Sequence, residues 1–172
     1  HTDYDTSSRV SRVIAQVGTG DADHATALDV SYCHAAGSTP ATTVGVSPCP
    51  ASPAADRGKI QWQKNNLTGQ TTTYTYDQAG RLTKAAQAGG TGPVTYTYTY
   101  DGRGNRLTSG RTGAGTQSLV FNAANQITTS GYGFDGQGNM TADPAGTYTY
   151  NGADQMIRVT KGGVNYTYEV RD

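Results

Sequence analysis

The side chains best suited to chemistry in this 172-residue chain are two cysteines, three histidines and its aspartates. Cys33 and Cys49 bracket a stretch dominated by Ala, Ser and Thr that also holds Pro40, Pro48, Pro50 and Pro53. A bridge between them would close a loop of about 17 residues and stabilise by roughly 3 kcal/mol. Two free thiols are the alternative. Placement at both ends of an irregular loop favours the bridge, and with it an oxidising compartment. Zinc would need histidines to join the cysteines; His34 adjoins Cys33 and His24 lies near, a poor ligand set. Asp21, Asp23 and Asp29 crowd a Gly-rich loop, but neither they nor the segments around Asp101 and Asp135 carry the spaced oxygen ligands and closing acid of a calcium loop. Glycoside hydrolysis needs two opposed carboxylates, and Glu169 is the chain's sole Glu. Nucleophilic catalysis needs Ser or Cys beside an oriented His, and the histidines are scattered. Asn66-Leu67-Thr68 and Asn165-Tyr166-Thr167 fit the N-glycosylation pattern, which would mean nothing in a bacterial chain. These residues point away from an enzyme, and neither a cofactor nor a metal is expected.

The aspartates have a better explanation. One phrase recurs: an aromatic, Asp or Asn, two loose positions, a residue tolerant of positive φ, one more loose position, then an aliphatic. It reads Tyr4-Asp5…Ser8…Val10, Tyr76-Asp77…Gly80…Leu82, Phe121-Asn122…Asn125…Ile127, Phe134-Asp135…Gly138…Met140 and Tyr150-Asn151…Asp154…Met156. A longer copy runs Tyr100-Asp101…Gly104…Leu107, and a further one starts at Tyr168. Repetition of this kind determines architecture before any local reading does. Alternating Tyr and Thr before the Asp are strong strand formers at period 2. An Asp or Asn at the strand end accepts hydrogen bonds from N–H groups further on and starts a turn. A type I turn followed by a left-handed residue closes a hairpin through a bulge, and Gly or Asn suits that place. Ser8 suits it least. The turn sets Asp77 opposite Arg81 and Tyr76 opposite Leu82, an aromatic–aliphatic pair worth roughly 0.2–1 kcal/mol. In the long copy the extra residue, taken as Asn105, must be absorbed by the turn or a bulge, or Leu107 changes face.

Period 2 also places Tyr74 with Tyr76, Tyr96 with Tyr98 and Tyr100, Tyr148 with Tyr150, and Tyr166 with Tyr168 on common faces. Together with Phe121 and Phe134 they form the expected aromatic ladder. Twelve Tyr against two Phe make Tyr the packing residue of a thin core. Zero net charge and 15% charged residues argue against disorder. The 13 Lys and Arg are scattered, so nucleic acid is not an expected partner. No apolar run is long enough to span a bilayer and no secretory signal is present.

Along the chain, residues 1–34 hold the first copy and its following strands. Residues 35–57 are the Pro/Ala/Ser-rich excursion, which cannot sit in a central strand. Residues 58–172 are tandem hairpins, including an alternating strand around Trp62 and a turn at Asn65-Asn66. The expectation is one continuous all-β domain of consecutive antiparallel hairpins in a twisted, curved sheet, cut at both ends from a longer protein.

The segments Tyr74-Thr75-Tyr76-Asp77-Gln78-Ala79-Gly80-Arg81-Leu82 and Tyr98-Thr99-Tyr100-Asp101-Gly102-Arg103-Gly104-Asn105-Arg106-Leu107 resemble the YD repeats of the Rhs and teneurin proteins. The resemblance runs from about Thr71 to Tyr168, and weakly over Tyr4–Val13; copies in series make it specific. It implies a strand ribbon spiralling into a hollow shell, enclosing a C-terminal toxin in bacterial members and belonging to an adhesion ectodomain in animal ones. Carbohydrate binding is also implied. No toxin payload or plug is recognisable here. Asp143-Pro144-Ala145-Gly146 matches the start of the family's self-cleavage motif, but Thr147 stands where an apolar residue is expected and another copy follows, which favours a plain turn. The expected role is a structural segment of a secreted or cell-surface shell, whose partners are the remainder of the parent chain and its effector. The alternative is a glycan-binding or adhesion module in which exposed Tyr and Trp62 stack on sugars. Open sheet edges predict self-association.

Overall fold

A computed structural model describes residues 1–18, 25–50, 58–90 and 92–169. They contain fourteen strands and no helix. The first sheet runs β1 (Thr2–Tyr4), β2 (Val10–Val17), β3 (Ala25–Cys33), β4 (Trp62–Asn65), β5 (Thr71–Tyr76), β6 (Leu82–Ala88), β7 (Val94–Tyr100), β8 (Arg106–Arg111) and β9 (Ala114–Ser118). The second runs β10 (Gly133–Phe134), β11 (Met140–Asp143), β12 (Gly146–Tyr150), β13 (Met156–Lys161) and β14 (Val164–Thr167). In both sheets spatial order equals chain order, the pairing is antiparallel, and neither sheet closes. Each strand folds back beside its predecessor, so hairpins follow one another with no crossover.

The chain divides into two compact units. One comprises His1–Thr99 with Ser109–Thr116; the other comprises Tyr100–Thr108 with the described residues from Gln117 onward.

The period-2 logic is visible in β7, where Tyr96, Tyr98 and Tyr100 are half-buried while Thr97 and Thr99 are exposed. Register shifts by one residue at the start of four of the phrases. Tyr76 pairs with Leu82 but Thr75 with Lys84, and Tyr150 pairs with Met156 but Thr149 with Arg158. The same step occurs at Tyr4/Val10 and Phe134/Met140. One bulged residue on each returning strand is the consequence.

The long copy departs from expectation. Asp101 N–H donates to the Asn105 carbonyl at 3.0 Å, as Asp77 N–H does to the Arg81 carbonyl at 2.9 Å. The turn therefore has the same length in both. Asn105 is no insertion; it fills the place of Arg81. The aliphatic is displaced instead: Arg106 stands where Leu82 stands and Leu107 follows one place later.

The fully buried core is small and lies in the first unit. Cys33 and Trp62 are buried against each other and Ala35. Beside them Asp29 and Ser31 on β3, Lys64 on β4, Thr71 on β5 and Asn66 just past the end of β4 form a buried polar row.

Candidate functional site

Six turns share one hydrogen-bond scheme. In the copy starting at Asp77, the carboxylate Oδ1 accepts from Arg81 N–H at 2.9 Å, and Oδ2 accepts from Arg81 Nε at 2.7 Å. Gly80 N–H donates to the Asp77 carbonyl at 3.0 Å. The Asp5 turn repeats this with Arg9, and its Oδ1 also takes Ser7 N–H. The Asp101 and Asp135 turns repeat it with Asn105 and Asn139, whose Nδ2 groups donate to Oδ2. In the Asn122 and Asn151 turns Oδ1 accepts the two N–H groups, and Nδ2 donates to the Oε1 of Gln126 and Gln155.

The left-handed place holds Gly80, Gly104 and Gly138, with φ of 78°, 95° and 95°, and Ser8, Asn125 and Asp154, with φ of 59°, 60° and 58°. Those three are the only non-glycine residues of positive φ among the described residues. Ser8, the poorest fit by type, adopts the same conformation as the others.

These contacts hold the turn carboxyls below the usual carboxylate range. For Asp5 and Asp77 the first cause is the backbone N–H of Arg9 and Arg81, and for Asp101 it is the Asn105 side chain. Desolvation pushes Asp135 up, but hydrogen bonds led by the Asn139 side chain outweigh it. The carboxylates are thus spent on closing turns. Asp29, grouped by sequence with Asp21 and Asp23, instead receives Arg12 at 2.7 Å and is held low by it. Asp21, Asp23 and His24 lie outside the described residues. Among the described residues no three His, Cys, Asp or Glu side chains come together as metal ligands.

The ladder residues sit as follows. Tyr74 and Tyr76 are on β5, Tyr96, Tyr98 and Tyr100 on β7, Phe134 on β10, and Tyr148 and Tyr150 on β12; all are half-buried. Phe121 is half-buried and bridges Ile127. Tyr166 on β14 and Tyr168 just beyond it are about half exposed, at 52% and 53%. Burial pushes the Tyr74 and Tyr76 hydroxyls up, and Tyr76 donates to the Ile60 carbonyl at 2.8 Å.

The Pro-rich excursion covers the buried row. Cys33 and Cys49 form a disulfide that anchors it. Trp62 Nε1 donates to Ser38 Oγ at 2.9 Å, and Ser38 Oγ donates to the Ala35 carbonyl at 2.6 Å. Lys64 Nζ donates to the Gly45 carbonyl at 2.6 Å and to Ser47 Oγ at 2.9 Å, and Gly45 N–H donates to the Asn66 carbonyl. The expectation of an exposed Trp62 is corrected by this cover. Trp62 is 0% exposed, so it offers no face to a sugar. Its neighbours on β4 alternate inward with it, and a chain segment remote in sequence closes over them. Asn66 is likewise buried; its Nδ2 donates to Asp29 Oδ1 and Ser31 Oγ and cannot carry a glycan in the folded chain. The sequence signal that was missed is the Lys in β4: a cation alternating inward with Trp requires acceptors from elsewhere in the chain.

A cleft of about 590 Å³ separates the Asp5 turn from the excursion, lined by Tyr4, Arg9, Tyr32, His34 and Pro48 among others. His34 Nε2 lies 3.3 Å from the Val10 carbonyl. Asp143-Pro144-Ala145-Gly146 forms the tight turn joining β11 to β12, in which Asp143 Oδ1 accepts from Ala145 and Gly146 N–H.

The chain is similar to two curated Bacillus proteins, the "tRNA3(Ser)-specific nuclease WapA" of Bacillus spizizenii and the "tRNA nuclease WapA" of Bacillus subtilis. Each is 36% identical over 94 residues, which is 51% of this chain and 4% of the relative. The chain therefore spans only a small part of their length. The model of the Teneurin YD-shell family matches residues 56–171. Serial hairpins closed by one repeated Asp/Asn turn are what that match covers, and the chain belongs to the Teneurin YD-shell family.

Proposed function

We propose that this chain is a non-catalytic wall segment of a secreted Rhs/YD-repeat shell that encloses or displays a C-terminal effector. The observation that carries this reading is the coincidence of the YD-shell match with strand order that follows chain order within each sheet, so that each hairpin of a sheet extends the one before it. The turn carboxylates have structural partners, which leaves them no part in hydrolysis. The Cys33–Cys49 disulfide supports an oxidising, extracellular setting. On this reading the nuclease work named for the two Bacillus relatives belongs to the rest of those chains and not to the segment they share with this one. The test is limited proteolysis of the parent chain with its C-terminal domain in place. The effector is expected to survive a protease dose that destroys it when expressed alone. Equal digestion in both settings would overturn enclosure.

A further inference from the structure

The six turns differ among themselves, and the differences are correlated. Asp at the first place goes with Arg9, Arg81, Asn105 or Asn139 four residues on, whereas Asn goes with Gln126 or Gln155. The donor–acceptor inventory explains the pairing within a turn: a carboxylate only accepts, while an Asn amide can donate to a Gln carbonyl.

Asn105 and Asn139 do something further. An amide nitrogen carries two hydrogens. One goes to the residue's own Asp, at 2.8 Å in the first turn and 3.1 Å in the second. The other leaves the turn. Asn105 Nδ2 lies 2.9 Å from Asn125 Oδ1, and Asn139 Nδ2 lies 2.8 Å from Asp154 Oδ1. Both recipients are the left-handed residues of the following turn. Glycine there would suit the backbone but has no oxygen to offer. In the second unit the four turns thus alternate as donor (Asp101), acceptor (Asn122), donor (Asp135), acceptor (Asn151).

We propose that this contact is a lateral pairing key: an Asp-x-x-Gly-Asn turn selects as its neighbour a turn of the form Asn-x-x-(Asn/Asp)-Gln, and hairpin order along this edge is set by that match. The partner recognised is a hairpin whose left-handed residue bears a side-chain amide or carboxylate oxygen. The Arg-closed turns at Asp5 and Asp77, with Ser8 and Gly80 in the left-handed place, are outside this class.

Asn125→Gly tests the key through its sign. If residue 125 only turns the chain, glycine relieves its backbone and amide exchange at Gln126 slows or stays constant. The key predicts the opposite: exchange at Gln126 speeds up about fivefold, the worth of one neutral hydrogen bond. In an Asn105→Ala background the same change is neutral or favourable, because its partner is already gone. The cycle with Asn139→Ala and Asp154→Gly repeats the test independently. The unmodified chain supplies a measurement that needs no variant: the Asn105 and Asn139 Nδ2 hydrogens exchange slowly by NMR. Slower exchange at Gln126 in Asn125→Gly, equal effects in both backgrounds, or free exchange of those Nδ2 hydrogens would each overturn the proposal.

Discussion

Removing the disulfide should uncover the tryptophan. Cys33 and Cys49 are separated by 16 positions in the chain. In the chain-entropy treatment, losing a closure of that size costs about 3 kcal/mol, or roughly a hundredfold in the ratio of closed to open excursion. Among the described residues, the hydrogen bonds that then remain between the excursion and β4 with its turn are the one from Trp62 to Ser38, two from Lys64 to Gly45 and Ser47, and one from Gly45 N–H to Asn66. These hold a segment of irregular backbone whose ordering costs about 1–2 kcal/mol per residue. Four bonds, at about 0.5–1.5 kcal/mol each and somewhat more from the Lys ammonium, are too few to hold it shut. The chain has one Trp, so its fluorescence reports this place alone. In the oxidised protein the emission should be blue and acrylamide should quench it poorly, since Trp62 is 0% exposed. In a Cys33→Ala/Cys49→Ala variant the emission should shift to the red and quenching should rise severalfold, at denaturant concentrations where strand content is unchanged. Identical emission and quenching in the two proteins would refute the claim that the bridge holds the cover.

Lys64→Met keeps the buried stem but takes the ammonium from the Gly45 carbonyl, leaving Ser47 its bonds with Ala41, and should lower stability by about 1–3 kcal/mol in urea titrations followed by Trp62. A Cβ at Gly146 would overlap the Thr160 carbonyl oxygen across β12 and β13, so Gly146→Ala should destabilise the second unit by about 1–3 kcal/mol, seen as faster amide exchange at Thr147 and Lys161. The Asp turns should weaken in acid. Their folded-state carboxyls titrate below the ordinary 3.8, so their contribution is complete above that pH and is lost as pH falls through the folded values. The Asn122 turn, closed by Gln126 with Asn125 in the left-handed place, contains no carboxyl. Amide exchange at Arg81 and Asn139 should therefore accelerate below pH 4 relative to Gln126, and parallel acceleration at all three would count against the assignment.

The repeating turn was legible in the residues because everything it needs lies within a few positions. Asp77, Gly80 and Arg81 make their own contacts, so spacing alone specifies the reversal, the left-handed residue and the pairing of Tyr76 with Leu82. Asn105 shows how little slack that logic allows. The turn keeps its length and the strand gives way, because the hydrogen bonds inside the turn are local and strong while one aliphatic more or less on a half-buried face costs little. The aromatic rows follow from period 2 for the same short-range reason. Contacts between residues distant in the chain were not legible. Whether Trp62 met solvent depended on Ser38 and the excursion arriving over it, and whether Asn66 could carry a glycan depended on Asp29 and Ser31. The lateral bonds from Asn105 to Asn125 and from Asn139 to Asp154 likewise arise only when neighbouring hairpins lie side by side. Sequence by itself determined the β class, the hairpins and where they reverse, because those rest on backbone preference and bonds a few residues long. The tertiary structure alone decided which side chains are covered and which turns touch, because burial is a property of what packs on a face, and no local pattern records that.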